Sequence, residues 1–390
     1  LYPAFDGVAA NGLRYGASVE LRENFNSGVF TGSQTSTVSS TATATSPSTN
    51  TSAQTVFVRR AFTYLANDNV GLVRLGQADG VLGLFDNCIF TTQCWDAGIG
   101  NFNGGANQSL APGGALGIPF VWLSQAGAEY ANQKIVYLSP QIYGLDFGVQ
   151  YAPSMGNAFQ YGGAGVGCNQ ASASCIGLTS GNDATRWYNQ FGIGLRYEHT
   201  FGPVDVKAYG FWETAGKENL DVGSYITPAT ARATGAGTNA LRYDNLNFYK
   251  AGLAVTSAGL TYAIDYIGGR INGQLAMDPS GGVPMNAVLT GLTYVNGPMT
   301  LGAEIGMINS QGDARLVGIS QRRETEIAFG GNYKLAPGVN LVGEYQYEYR
   351  HQGGYDFANG GLGAGTTATT PGLTRDAHGQ SVVFSTVLTW

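Results

Sequence analysis

Apolar and polar residues alternate along this chain with a period of two. In the stretch from Leu13 to Arg22, one face takes Leu13, Tyr15, Ala17, Val19 and Leu21, and the other takes Arg14, Gly16, Ser18, Glu20 and Arg22. Near the far end Val339, Leu341, Gly343, Tyr345, Tyr347 and Tyr349 interleave with Asn340, Val342, Glu344, Gln346, Glu348 and Arg350. The final segment puts Val382, Phe384, Thr386, Leu388 and Trp390 on one side. Successive side chains of a strand point to opposite faces, so this pattern marks strands with one oily side and one polar side. The alternation predicts fourteen full strands, near residues 12–22, 55–66, 70–79, 132–139, 143–152, 186–199, 203–214, 246–256, 258–267, 286–295, 298–308, 323–334, 339–350 and 379–390.

The connections between them carry a second signal, because long and short ones alternate. Long ones cover about 23–54, 80–131, 153–185, 215–245, 268–285, 309–322 and 351–378; the short ones include Asn67-Asp68-Asn69, Asn296-Gly297 and Leu335-Ala336-Pro337-Gly338. Antiparallel strands send alternate connections to opposite ends, so tight turns gather at one end and large loops at the other. A soluble sandwich has no reason to segregate its loops in this way, whereas an outer-membrane barrel does. In lipid the backbone finds no water, so a sheet there must close and leave no edge. The expected fold is therefore all-β: a transmembrane antiparallel β-barrel in a single domain spanning 1–390. Leu1–Phe5 reads as the tail of an earlier strand, with a turn over Asp6–Gly12. This implies sixteen strands, with the first one to two partly missing from the chain; fourteen strands closing on themselves are the alternative.

Composition narrows the picture. The 390 residues carry a net charge of −6, only 12% charged residues and 59 glycines without a Gly-X-Y period. No apolar run approaches the ~18 residues of a membrane helix. An acidic pI near 5.1 without a Lys/Arg cluster argues against a nucleic-acid partner. Tyr151, Trp187, Tyr197, Tyr294, Tyr333, Tyr349 and Trp390 stand at strand ends, as aromatic girdles do. The four cysteines form two close pairs in Gly/Asn/Ser-rich stretches, neither with CxxC spacing. Local loop disulfides Cys88–Cys94 and Cys168–Cys175 in an oxidising compartment are the simplest reading, with free thiols as the alternative. His199, His351 and His378 sit at strand ends or in loops, with no catalytic partner specified. Gly360–Gly365 lacks the lysine and the strand-then-helix setting of a phosphate loop.

Several motifs resemble the general diffusion porins of Gram-negative bacteria, especially the α-proteobacterial branch. Arg59-Arg60-Ala61-Phe62-Thr63-Tyr64-Leu65, followed by Val70-Gly71-Leu72-Val73-Arg74-Leu75-Gly76-Gln77, is similar to a strand pair of that family, which usually has Gly at the place of Tyr64 and Arg at that of Gln77. Ile135–Pro140 through Gly144-Leu145-Asp146-Phe147 and Gln150-Tyr151-Ala152-Pro153 resembles a second hairpin, and Tyr333–Val339 with Trp390 resembles the closing strands. The resemblance implies a homotrimer in the bacterial outer membrane, in contact with lipid and lipopolysaccharide. It also implies a water-filled channel passing small hydrophilic solutes and ions, and no enzyme.

In that family the loop after the strand that Val70–Gln77 resembles folds into the lumen and narrows it. Here that loop is about 79–131, with Asp79, Asp86 and Asp96 as the acidic side of a constriction. Arg14, Arg59 and Arg74 fall on inward parity and form its basic side with Lys134; Arg22, Lys207 and Arg350 share the parity. Arg60 takes outward parity on the same count, which calls for a protein partner or a local bulge. Arginines opposite carboxylates would set a transverse field across the pore. No cofactor is expected beyond a possible structural Ca²⁺ near Asp79 and Asp86. The competing functions are a substrate-selective channel for sugars or anions, and an outer-membrane enzyme or adhesin working through its loops.

Overall fold

The computed structural model describes residues 2–23, 56–85, 132–154, 187–217, 244–271, 282–310, 322–352 and 376–388. They form β1 (Ala4–Val8), β2 (Arg14–Glu23), β3 (Val56–Asn67), β4 (Gly71–Ala78), α1 (Val81–Phe85), β5 (Asn132–Leu138), β6 (Leu145–Ser154), β7 (Trp187–Phe201), β8 (Val204–Lys217), β9 (Leu246–Ser257), β10 (Leu260–Arg270), β11 (Met285–Asn296), β12 (Met299–Ser310), β13 (Arg322–Ala336), β14 (Val339–Gln352) and β15 (Asp376–Leu388). The strands make one fifteen-stranded sheet in chain order, every neighbour antiparallel. The alternation located each strand to within a few residues. β1 is the strand expected at Leu1–Phe5, moved toward Val8, so that the turn spans Ala9–Leu13 and closes with an Ala9 N–H bond to the Leu13 carbonyl.

Closing fourteen strands on themselves would set β15 against the free edge of β2. That edge carries β1, paired from Ala4↔Ser18 to Val8↔Arg14. β1 and β15 run in the same direction, so an all-antiparallel closure takes one opposed strand between them, the even count of sixteen.

Tight turns lie at one end because the sequence supplies backbones that can make them. Gly202 and Gly297 each precede a proline and adopt positive φ (61° and 57°), as the first corner of a two-residue hairpin turn demands. The proline then continues the turn where no ladder hydrogen bond is required of it.

Partners across an antiparallel register share a face, and the two faces differ sharply. One carries Leu65, Leu75, Ile135, Phe147, Leu195, Tyr262, Tyr294, Leu301, Phe329, Tyr333, Leu341 and Phe384, all exposed, Phe384 at 83%. Each such side chain left in water forgoes about 1.5–3 kcal/mol of burial, so a band of them needs a hydrocarbon solvent. The other face carries Glu20, Lys134, Asp146, Gln150, Glu213, Lys250, Asp265, Glu304 and Glu324, all buried. Its upper reach on β8–β13 differs from the uniformly polar lumen face expected. There Leu246, Phe248, Ile267, Met285, Ala287, Leu289, Ile308 and Ala328 make a second apolar core. Among the described residues no helix is long and apolar enough to cross a membrane.

Candidate functional site

The inner, polar face and α1 make up the site. After Ala78 the chain leaves the sheet edge-on and α1 lies over β6, β7 and β8. Val81, Leu82 and Phe85 are buried there. The floor beneath them is glycine: Gly148 and Gly194 are cross-strand partners, and a Cβ on either would stand 2.8 or 2.9 Å from the Val81 side chain. Only side-chain-free backbone lets the helix come this close. Phe211 continues the contact to Phe248, ring centroids 6.1 Å apart.

Polar groups fasten the same element. Gln150 Oε1 accepts the Val81 N–H, and Gln150 Nε2 donates to Glu213 at 3.2 Å. Gln190 Nε2 donates to the other Glu213 oxygen at 2.7 Å. One turn away Arg196 grips Asp146 with two bonds, Nε at 3.0 Å and Nη2 at 2.5 Å, and its guanidinium lies 5.0 Å from the centroid of the Phe85 ring. At the start of the connection Asp79 pairs with Arg60 (2.8 Å), and Arg60 pairs with Glu20 (3.3 Å).

The expected constriction residues are redistributed by this geometry. Arg60 is on the inner face, against the outward parity counted for it. The register steps between Glu20↔Arg60 and Leu21↔Val58, leaving Arg59 as the extra residue of a β-bulge. One inserted residue reverses the parity beyond it. The Arg59 side chain lies outside the described residues, as do Asp86, Asp96, Cys88, Cys94, Cys168, Cys175 and the side chains of Arg22 and Arg350. Asp79 does not oppose the arginines across a gap; it is bonded to one of them. Arg74 is inward as expected, its guanidinium 5.0 Å from the Phe62 ring centroid. Lys134 is inward but only 3% exposed, so it presents no ammonium to a lumen. Arg14 has inward parity yet stands at the turn end, its side chain 55% exposed and paired with Asp68 at 2.9 Å. Glu20 lies six residues further along β2, about 20 Å away at ~3.3 Å per residue. Among the described residues no three His, Cys, Asp or Glu side chains gather as a metal site.

Elsewhere on the inner face charges also meet neighbours on the same wall: Lys207 with Glu198 (3.7 Å), Lys250 with Asp265 (3.8 Å) and Arg322 with Glu324 (2.8 Å). Tyr209 donates to Asp265 at 2.9 Å, and Tyr64 donates to Asp6.

The family model for Gram-negative porins matches residues 4–354. The chain belongs to that family. Among solved structures, the anion-selective porin from Comamonas acidovorans is 13% identical, with 98% of this chain and 87% of that chain covered at a TM-score of 0.50. OmpT, an outer membrane protein of Vibrio cholerae, is 11% identical over 99% and 88% of the two chains at 0.48. A mutant of the Rh. blastica porin is 12% identical over 99% and 88% at 0.44. No curated protein matches.

The chain is thus a porin of the Gram-negative outer membrane, a β-barrel channel for passive diffusion, and its exposed apolar face is the lipid-facing one. Of the residues that fasten α1 in this porin, Gln150, Gln190, Glu213 and Arg196, only Gln150 entered the sequence reading, as part of a hairpin motif, and none was assigned to the site. They are spread over three strands, and the only available signal was a large polar residue at each inward position. Arg14 belongs to the turn end and not to the constriction, and an exposed pair of this kind contributes about 0.2–1 kcal/mol. Arg14→Gln is therefore expected to leave single-channel conductance unchanged and to shift the urea midpoint only slightly; a large conductance change would return Arg14 to the narrow part of the pore.

Proposed function

We propose that this porin is a weakly selective channel whose lumen is narrowed by the connection after β4, and that it works as a homotrimer. Permeation and not catalysis is the work assigned to it. The observation that carries this reading is α1, which turns inward from β4 and lies against the inner wall of β6–β8. A segment fastened there occupies lumen cross-section at the height where Arg60, Asp79 and Glu20 meet. Weak selectivity follows from the pairing of wall charges with their neighbours, since a paired charge projects less field into the pore than a row of single-sign charges.

The trimer reading draws on the outer face of β14 and β15, where polar groups interrupt the oily band. Tyr345 donates to Gln380 (3.1 Å), Tyr349 to Asp376 (2.5 Å), and His351 Nδ1 lies 2.7 Å from Asp376. An amide facing hydrocarbon is costly, and a second protein surface relieves that cost. Toward the extracellular rim Arg323 shares its register row with His351 and Asp376, a level suited to lipopolysaccharide headgroups.

Planar-bilayer recording tests the reading. Ohmic steps in groups of three, with similar permeabilities for small cations and anions, are expected. Block by one sugar or anion at low concentration would replace it with a substrate-selective channel. Folded protein without conductance would overturn it.

A further inference from the structure

The fastening of α1 has a polarity that can be exchanged, and this rests on the channel reading above. We propose that Gln150 is a positioning residue: its carboxamide, oriented by Glu213, holds the base of the inward segment and thereby keeps the channel open. A carboxamide can turn either end toward a neighbour, but here both neighbours dictate the choice. The Val81 N–H requires an acceptor, and the Glu213 carboxylate requires a donor. Gln190, donating to the other carboxylate oxygen, fixes Glu213 in turn. All three side chains are within 1% of complete burial, so water does not substitute for a lost partner. Gly192 makes the room: a Cβ there would stand 3.0 Å from Gln150 Cγ and 2.9 Å from the Phe211 ring.

This chain of bonds links the backbone of α1 to β6, β7 and β8 at once. Breaking it leaves the buried Val81 N–H without its acceptor and Glu213 with one donor fewer, and the apolar contacts of Val81 and Phe85, the Arg196 guanidinium over the Phe85 ring and the Arg60–Asp79 pair then hold the element. The bound position loses free energy relative to displaced ones that obstruct the lumen.

The test is a reciprocal exchange read by single-channel recording of trimers whose folding is verified by heat-modifiable gel migration. Gln150→Met, neutral and of similar length, removes both the acceptor and the donor; its closed-to-open ratio at a fixed voltage is expected to rise roughly tenfold or more, the scale of one lost hydrogen bond to a charged group. Gln150→Glu sets its new carboxylate against that of Glu213 and removes the donor. The double variant Gln150→Glu with Glu213→Gln reverses donor and acceptor between the two positions, and it should restore wild-type closure. A relay that only stabilises the barrel would lower the temperature at which the single variants dissociate on the gel and leave closure unmoved. Folded Gln150→Met trimers with wild-type closure, or a folded double variant that closes as readily as Gln150→Met, would overturn the proposal. A wild-type trimer that does not conduct overturns the channel reading instead.

Discussion

Replacing Gly194 with valine is expected to lower single-channel conductance. A Cβ at Gly194 would stand 2.9 Å from Val81 Cγ1 and 3.0 Å from Phe85 Cδ2, and its cross-strand partner Gly148 offers no relief, being equally close to Val81. The sheet beneath is held by ladders on both sides, whereas α1 is five residues long and bound mainly through this face. The helix therefore gives way, and the direction left to it is inward, into the lumen. Overpacking of this kind costs about 1–3 kcal/mol. Two controls make the result specific. Gly210, whose Cβ would meet nothing within 4 Å, should accept alanine without change of conductance. Val81→Ala combined with Gly194→Val should recover much of the lost conductance, because contacting residues couple non-additively. Wild-type conductance in a folded Gly194→Val trimer would mean that α1 does not bound the open pore.

Arg60→Gln is the second large change. It should shift the reversal potential in a salt gradient toward cation preference. The substitution removes the positive partner of both Glu20 and Asp79, and Glu20, at 2% exposure, keeps a buried charge with one fewer compensating group. About 1–3 kcal/mol of stability should be lost with it, measured by urea unfolding in lipid vesicles. Strict alternation counted from Val58 assigns this shift to Arg59 instead. Parallel recordings of Arg59→Gln and Arg60→Gln therefore separate the two parities: a shift confined to the Arg59 variant would refute the bulge as the origin of the lumen charge.

These two residues also show where sequence reading reaches its limit. Period-two alternation is a local property, set by the pleat, and it located the strands from β2 to β15 and the oily face of each one. The loop asymmetry, read from Asn67-Asp68-Asn69 and similar short links against connections of tens of residues, followed from antiparallel order alone. A bulge breaks the count by one residue, and nothing in Arg59-Arg60 announces on which side the step falls. Lys134 has the right parity and is still buried, because parity tells which face a side chain takes and not what lies over that face.

The chain order by itself determined that this is an antiparallel membrane barrel, since solvent-driven alternation and backbone hydrogen bonding leave few other solutions; an inward connection after the Val70–Gln77 strand was implied only by the family resemblance. Tertiary structure decided the rest: that Asp79 returns to Arg60 rather than facing it, and that Arg14 sits at the rim. It also decided that Gln150, Gln190 and Glu213 converge under α1. Each of these depends on the relative height of strands, which the register of hydrogen bonds between neighbours fixes. Such offsets belong to pairs of strands and are not written in either strand alone.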